Sequence, residues 1–545
     1  MTEPVVRDTA PVARPGAGLA RAALMITAVA VIARAVGFGR VLVFARTVGP
    51  TCLGDTYYTA NTIPNIVFDI VAGGALASLV VPVLAGAVDR GDEEAARRTS
   101  SALLTWAVVG LAPLAVVGAL LAHPLMSLLV GGGHPGCDRD AAVDVGARML
   151  VVFMPQVVLY GIGIVLTGVL QAHRRFLGPA LAPLLSSLVV IAAYVAYGVV
   201  SSGQSHDLRH LPLSQELLLS VGTTVGVVAL SLPLFLPLRR TPVRLRPTLS
   251  FPPGVARQVR RLAVSGAAVL AGQQVATAVV LRLANAGGSS GAVVVYGLAW
   301  TLFLVPWAVL AVPIATSAFP TLTARHSDGD EAGYADLVAR TTRIVVIVTA
   351  AAAAILAASA GPAARVLVLG TRGGVDPVEL ARAIVAFAPG LLGYGLLAHL
   401  SRALYARGDA RGPALAAIAG WASVIVADIA LVAALPRQWS VAGLGIGNSI
   451  GMTVAGLVLL AALARATGGA GMLGLPRAAG AGLVGGVVAG AAGVAVAAAA
   501  GSVGALASVG QCALVAVVVA AVFAVVALLL DRPDVLALAR RVSRA

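Results

Sequence analysis

"FMPQVVLYGIGIVLTGVLQAHRRFLGPALA", residues 153–182, returns later in the chain as "FAPGLLGYGLLAHLSRALYARGDARGPALA", residues 387–416. Without a gap, Phe153 pairs with Phe387, Pro155 with Pro389, Tyr160-Gly161 with Tyr394-Gly395, and Gly178-Pro179-Ala180-Leu181-Ala182 with Gly412-Pro413-Ala414-Leu415-Ala416. Two shorter echoes accompany it: "GTTVG" (222–226) with "GNSIG" (447–451), and "LVVPVL" (79–84) with "SAFPTL" (317–322). Apolar segments resemble one another by chance, but a register kept through a helix, a turn and the start of the next helix marks a duplicated unit.

Each copy lies within a series of apolar runs. Of the 545 residues, 59% are hydrophobic and 11% charged, and the mean hydropathy is +0.95. A soluble domain carries roughly 25% charged residues. Runs of about 20 apolar residues recur along the whole chain, and lipid leaves the backbone of such runs only the helix as a self-sufficient structure. The reading is an all-α polytopic membrane protein of about fourteen transmembrane helices. The repeats lie six spans apart, an even number that preserves orientation, so the two six-helix halves are related by a pseudo-two-fold axis along the membrane normal. The expected organisation is an N-terminal tail at 1–19, a first half at 20–238, an Arg/Pro-rich linker at 239–258, a second half at 259–465, an additional helix pair at 466–530 and a C-terminal tail at 531–545.

All 38 basic residues are arginine, and the net charge is +15. In a soluble protein that balance would point to nucleic acid; here the charge sits in short connections. Arg7, Arg14 and Arg21, the block from Arg239 to Arg261, the trio Arg402, Arg407 and Arg411, and Arg540, Arg541 and Arg544 fall on one side, while the other holds few, such as Arg139, Arg209, Arg372 and Arg437. The bias places both termini in the cytoplasm. Cys52, Cys137 and Cys512 are odd in number and scattered, and give no disulfide framework and no metal spacing. "GGGHPGCDRD" (131–140) lacks metal-ligand spacing, and "GLGIGNSIG" (443–451) follows no strand, so its glycines are read as helix-packing positions. No Walker sequence and no nucleophile–base constellation is present, which leaves ATP-driven transport and covalent catalysis unsupported and no cofactor expected.

The chemistry is carried by arginines inside a span. "VIARAVGFGRVLVFARTVG" (31–49) puts Arg34 near mid-helix and Arg40 six residues on. A central arginine costs at least about 2.5–3.5 kcal/mol on insertion scales, so it is expected to face a watery cavity or a partner. Six residues turn a straight helix by about 240°, so a bend at Gly37 and Gly39 would be needed to bring both guanidiniums to one cavity. In "DTYYTANTIPNIVFD" (55–69), Asn61, Asn65 and Asp69 recur every fourth residue and share a face, which is expected to look into the same space. Paired guanidiniums suit phosphate or diphosphate, which they grip bidentately. Asp428, with Gln273, Gln274 and Asn448, is expected to form a coupling-cation or proton site in the second half.

The segment Arg34-Ala35-Val36-Gly37-Phe38-Gly39-Arg40, followed by Ala45, Gly49, Asp55, Ala60, Pro64-Asn65, Gly74-Ala75 and Pro82, resembles the MurJ/MviN family of lipid II flippases, within the multidrug/oligosaccharidyl-lipid/polysaccharide exporters. "ANTIPNIVFDIVAGGAL" (60–76) is similar to the branch found in high-GC Gram-positive bacteria. The resemblance covers nearly the whole chain. It implies that Arg34, Arg40, Asp55, Asn61 and Asn65 bind substrate, that the arginines meet a diphosphate, and that the last helix pair offers a groove to a polyprenyl tail. Val41, Phe68, Gly73 and Thr301 stand where many members carry further charged residues. The implied function is alternating-access translocation of lipid II from the inner to the outer leaflet of the bacterial plasma membrane. It would be driven by membrane potential or an ion gradient, with no enzymatic step. Its partners would be a polyprenyl-diphosphate-linked sugar, membrane lipids and cell-wall synthesis proteins, with no nucleic acid. The alternatives are export of another polyprenyl-diphosphate-linked oligosaccharide and a non-transporting membrane scaffold.

Overall fold

The computed structural model describes residues 17–70, 84, 86, 88, 90–131, 137–201, 207–241, 243–251, 255–501 and 504–532. Most of the expected terminal tails, the family positions Gly73 and Gly74-Ala75, and most of the 79–84 echo lie outside them. The first half contains α1 (Ala17–Thr47), α2 (Cys52–Asp69), α3 (Glu93–Leu120), α4 (Ala122–Val130), α5 (Arg139–Phe153), α6 (Pro155–Ala172), α7 (Leu177–Val200) and α8 (Leu213–Ser231). The second contains α9 (Val255–Gly287), α10 (Ala292–Pro306), α11 (Val312–Ser327), α12 (Glu331–Ala358), α13 (Ala360–Val368), α14 (Pro377–Phe387), α15 (Gly390–Ala406), α16 (Arg411–Ala434) and α17 (Ser440–Thr467). The pair α18 (Leu475–Ala499) and α19 (Ala505–Leu530) packs on α12. Among the described residues, 11 helical segments are long and apolar enough to span a membrane, or 12 with the bent α14–α15 pair. The expected fourteen is not reached. The polar helix α2 and the arginine-bearing α9 belong to the bundle but are not among those segments.

The duplication is visible bond by bond. Proline lacks an amide hydrogen and strands carbonyls one turn back. At Pro155 the chain breaks between α5 and α6, and at Pro389 it bends by 43° between α14 and α15. In lipid those carbonyls need an internal donor. Thr224 Oγ1 donates to Val152 O (3.0 Å), and Ser449 Oγ donates to Ala386 O (2.7 Å) and Phe387 O (3.2 Å). Thr224 and Ser449 are the matched central residues of the "GTTVG" and "GNSIG" echo. The turns after the repeated helices also agree. Arg174 (φ 56°) and its counterpart Gly408 (φ 76°) both hold a left-handed backbone, and the amides of Arg175 and Asp409 return to the carbonyls of Leu170 and Leu404.

The alternation of spans gives the bundle two ends, one rich in arginine and one poor. At the arginine-poor end a single hydrophobic core joins the halves, with Phe44, Tyr57, Phe153 and Tyr194 of the first packed with Val294, Phe303, Ile384 and Phe387 of the second. At the arginine-rich end each half has its own core, Leu103, Val169 and Leu234 in one and Leu322, Leu400 and Leu459 in the other. The halves therefore meet at one end and part toward the other. α1 packs chiefly on α7 and borders the gap.

Two expectations are corrected. Cys52 and Cys137 form a disulfide with Cα atoms 5.6 Å apart, leaving Cys512 as the free cysteine among the described residues. Sequence spacing could not report that Cys137, just before α5, lies against the start of α2. In the expected linker, residues 243–251 carry no regular secondary structure, and α9 begins at Val255, inside the expected linker bounds. The amides of Arg246 and Thr248 donate to Ser101 Oγ and Thr105 Oγ1 of α3, and Trp106 Nε1 donates to Leu249 O. Side chains on α3 thus satisfy a backbone that Pro247 keeps from coiling.

A left-handed non-glycine residue costs about 1–2 kcal/mol. Gly408→Ala is expected to lower the thermal midpoint of the detergent-purified protein by that cost, while Arg174→Gly leaves it unchanged or raises it; tryptophan fluorescence on heating reads both.

Candidate functional site

Helix α1 runs unbroken through Gly37 and Gly39, and neither glycine has a neighbour where a side chain would stand. The two arginines accordingly point apart, as their spacing requires. Arg40 is half-buried and lines a cavity of about 220 Å³ between the halves. Arg34 is exposed and does not line that cavity. It stands one turn before Phe38 on the same face of α1, and Phe38 lines a second, apolar space. Among the described residues neither arginine forms an ion pair.

The cavity is built from short polar groups on rigid helices. Asn61 and Asn65 of α2 line it with Tyr57, Tyr58, Tyr194 of α7, Thr223 of α8 and Thr301 of α10. Tyr57 Oη lies 2.8 Å from Tyr194 Oη and 2.6 Å from Thr223 Oγ1. Tyr160 Oη donates to Asn65 Oδ1 (3.0 Å), and Asn65 Nδ2 donates to Asn61 O (2.8 Å). Asn61 Oδ1 is buried without a partner among the described residues. Arg40 is close enough for its charge to be felt at the hydroxyls of Tyr57, Tyr58, Tyr160 and Tyr194. A guanidinium ringed by phenols and amides rather than carboxylates suits a multi-oxygen anion.

The apolar space is a groove of about 670 Å³ running from Phe38 and Leu302 past Ile347 of α12 to Phe523 of α19. Groove and cavity border the same two helices: Phe38 lies two residues from Arg40, and Leu302 follows Thr301.

Asp55, expected to bind substrate, lies elsewhere. It is 2% exposed and accepts from the amides of Gly291 (2.7 Å) and Val294 (3.0 Å) at the start of α10. It caps a helix of the opposite half, so both carboxylate oxygens are occupied. Around it the halves touch backbone to backbone. A side chain at Gly291 or Gly373, both with positive φ, would collide with the Pro50 carbonyl. Arg372 adds bonds to Ser201 Oγ and Gly198 O. This seal closes the arginine-poor end.

The expected cation cluster is not assembled. Gln274 donates to Asp69 of the first half (3.3 Å), drawing Asp69 to the boundary between the halves rather than to the cavity. Gln273 is half-buried on the same helix. Asp428 is fully buried against Gly447, and neither of its oxygens has a hydrogen-bond partner among the described residues. Asn448, the next residue after Gly447, turns its amide toward Gly390 instead. Of the positions lacking family arginines, Thr301 lines the cavity and Phe68 packs against Tyr160 in a tilted pair with ring centroids 4.5 Å apart. The sequence reading missed the tyrosines. With only 9 tyrosines in the chain, those placed inside spans were a usable signal.

The profile of the family "Lipid II flippase MurJ" matches residues 44–530. A "Lipid II flippase MurJ" of Burkholderia cenocepacia is 26% identical over 414 residues, 73% of this chain and 76% of that protein. A "Probable lipid II flippase MurJ" of Rhizobium tropici is 23% identical over 382 residues, 70% of this chain and 69% of that one. Among solved structures, "Lipid II flippase MurJ, inward closed conformation" superposes with a TM-score of 0.71 at 16% identity, covering 94% of this chain and 99% of its own. An inward-facing multidrug resistance MATE family transporter of the MOP superfamily gives a TM-score of 0.66 at 15% identity, covering 79% and 94%. At these identities the structural matches establish the fold.

A carboxylate at a helix N-terminus contributes up to about 2 kcal/mol when partly buried. Asp55→Ala should weaken the seal by that amount, moving the open-to-closed ratio roughly thirtyfold. Spin labels at Val200 and Leu369, on opposite halves at this end, should show a longer and broader distance distribution in the variant. An unchanged distribution would mean that the glycine contacts hold the seal alone.

Proposed function

The chain belongs to the lipid II flippase MurJ family, and from that premise we propose how it moves lipid-linked peptidoglycan precursor across the membrane. The reading rests on one observation: a cationic, phenol-lined cavity and an apolar groove share the α1–α10 boundary. An amphiphile with an anionic head and an alkyl tail matches both volumes at once. Arg34, beside groove-lining Phe38, is assigned to the diphosphate as it enters, and Arg40 to the same group at the blind end of the chamber. Asn61 and Asn65 are assigned to the sugar-bearing head, and the prenyl tail to the groove.

Orientation follows from the arginine bias, with the arginine-rich end in the cytoplasm. The conformation described here is then the loading state, open to the inner leaflet and sealed at the outer end. Rocking of the halves would part Asp55 from Gly291 and Val294 and open the chamber outward. No bond of the substrate is broken in this cycle. Asp428 is assigned to energy coupling. A buried carboxylate without a donor among the described residues calls for a proton or a cation, and membrane potential would supply the drive. Partners among cell-wall synthesis proteins are part of the proposal through the substrate they share. A second reading, another polyprenyl-diphosphate-linked oligosaccharide, is favoured by Thr301 and Phe68, which leave Arg40 as the one arginine lining the cavity among the described residues.

Expression in cells depleted of their lipid II flippase tests the assignment. Wild type should restore growth, while Arg40→Ala and Arg34→Ala should reduce rescue at least tenfold in viable count, with Arg40→Lys intermediate because a point charge loses the bidentate grip. Rescue by all three would remove the arginines from the mechanism. In proteoliposomes carrying fluorescent lipid II, Asp428→Asn should abolish the response to an imposed sodium or proton gradient. A response equal to wild type would exclude this carboxylate from coupling.

A further inference from the structure

A third cavity, of about 640 Å³, opens at the arginine-poor end of the second half and shares no lining residue with the other two. It lies between α14, the start of α17 and the end of α18, with α13 as a partition. Ala363 and Leu367 of α13 line the substrate groove, whereas Gly361 and Arg365 line this pocket. The pair α18–α19 is tied to the second half through α12 and α13, and the pocket occupies the gap left between α18 and bent α14.

The rim carries two guanidiniums. Arg382 lies over the Trp439 ring, 4.4 Å from its centroid, and forms no ion pair among the described residues. Glu379, one turn earlier, is engaged by Ser289 Oγ at 2.8 and 3.1 Å. Arg365 donates to Gln511 Oε1 (2.7 Å) while Gln511 donates to Ala497 O, so the side chain is held at the rim by both helices of the terminal pair. Trp439 stands where an interfacial aromatic is expected, at the start of a span. Below the rim the lining turns aliphatic, with Val385, Ile446, Val494 and Ala498.

We propose that this pocket binds one anionic phospholipid from the leaflet at the arginine-poor end, its phosphate between Arg365 and Arg382 and an acyl chain in the aliphatic slot below. Two guanidiniums match a phosphate diester, and the aliphatic slot adds the apolar burial that a free anion could not use. The occupant fills the gap beside α14, the outer segment of the kinked span, and so links the terminal helix pair to the element that bends. The site does not depend on the transport reading, since neither the cavity nor the groove takes part.

Native mass spectrometry of the full-length chain, with dioleoylphosphatidylglycerol or dioleoylphosphatidylcholine added, tests it. Wild type should retain one phosphatidylglycerol in preference to phosphatidylcholine. Arg382→Ala should lower that occupancy about tenfold. Ala498→Phe, which fills the slot from an exposed position, should do the same with an unchanged melting midpoint. Arg340→Ala, at the opposite end, should retain the lipid. Equal occupancy in every variant, or equal retention of the two lipids, would overturn the proposal. Displacement of the lipid by equimolar inorganic phosphate would overturn it in favour of a free-anion site.

Discussion

The chamber exists because a buried carboxylate holds one end of it shut. Asp55 accepts with both oxygens from amides at the N-terminus of α10, joining the second helix of one half to the second long helix of the other. A helix N-terminus carries about half a positive charge in unsatisfied amides, so an acidic cap is favoured there and an empty one is costly in an apolar surround. The glycines at 291 and 373 let the two backbones approach closely enough for that bond to form. With this end fixed, the gap between the halves becomes a pocket with a floor rather than a pore, and Arg40 lies just above the floor.

The bends that give the halves their shape rest on a second device. A proline kink in lipid leaves carbonyls that water cannot reach, and each half satisfies them with one hydroxyl from the neighbouring helix. The device is the same in both copies, while the residues around it have diverged. The register of the repeat, carried along α7 and α16, sets Tyr194 in the first half against Asp428 in the second. Tyr194 joins a hydrogen-bonded phenol pair at the cavity; Asp428 stands without a donor among the described residues. Trp300, Phe303, Phe387 and Tyr394 pack into an aromatic cluster in the second half, and Phe44, Tyr57, Phe153 and Tyr194 into another in the first. The two halves thus differ in side-chain chemistry on a common scaffold.

What could be read in the sequence was whatever depends on local pattern. The repeat, the prolines, the arginines out of place in an apolar run and the four-residue polar stripe all follow from spacing, and Arg40, Asn61 and Asn65 meet as that spacing suggests. What could not be read depends on which distant surfaces close together. Asp55 looks like a cavity residue on its own helix, and only the position of α10 turns it into a cap. Cys52 and Cys137 are 85 residues apart, and only the tertiary fold unites them. Gln274 and Asp428 sit on neighbouring helices of one half, yet rotation about their axes sends the first to the boundary and the second inward. Helix phase relative to partners is a tertiary property, and a single sequence carries little of it.

The placement of groove and cavity on shared helices has an energetic reason. Moving a prenyl tail out of lipid would cost about 0.8 kcal/mol for each methylene exposed, a sum no transport cycle could bear for a chain of many carbons. The headgroup has the opposite problem, since its charges are expensive in hydrocarbon and cheap in a polar chamber. A protein that transports such a molecule must therefore split it at the diphosphate, keeping the tail in an apolar slot while the head crosses in water. The split has to fall where the two volumes touch. On α1 that boundary lies between Phe38 and Arg40, with Arg34 one turn below on the face of Phe38. On the proposed reading, a guanidinium on each side of the boundary would hold the one group that belongs to both environments.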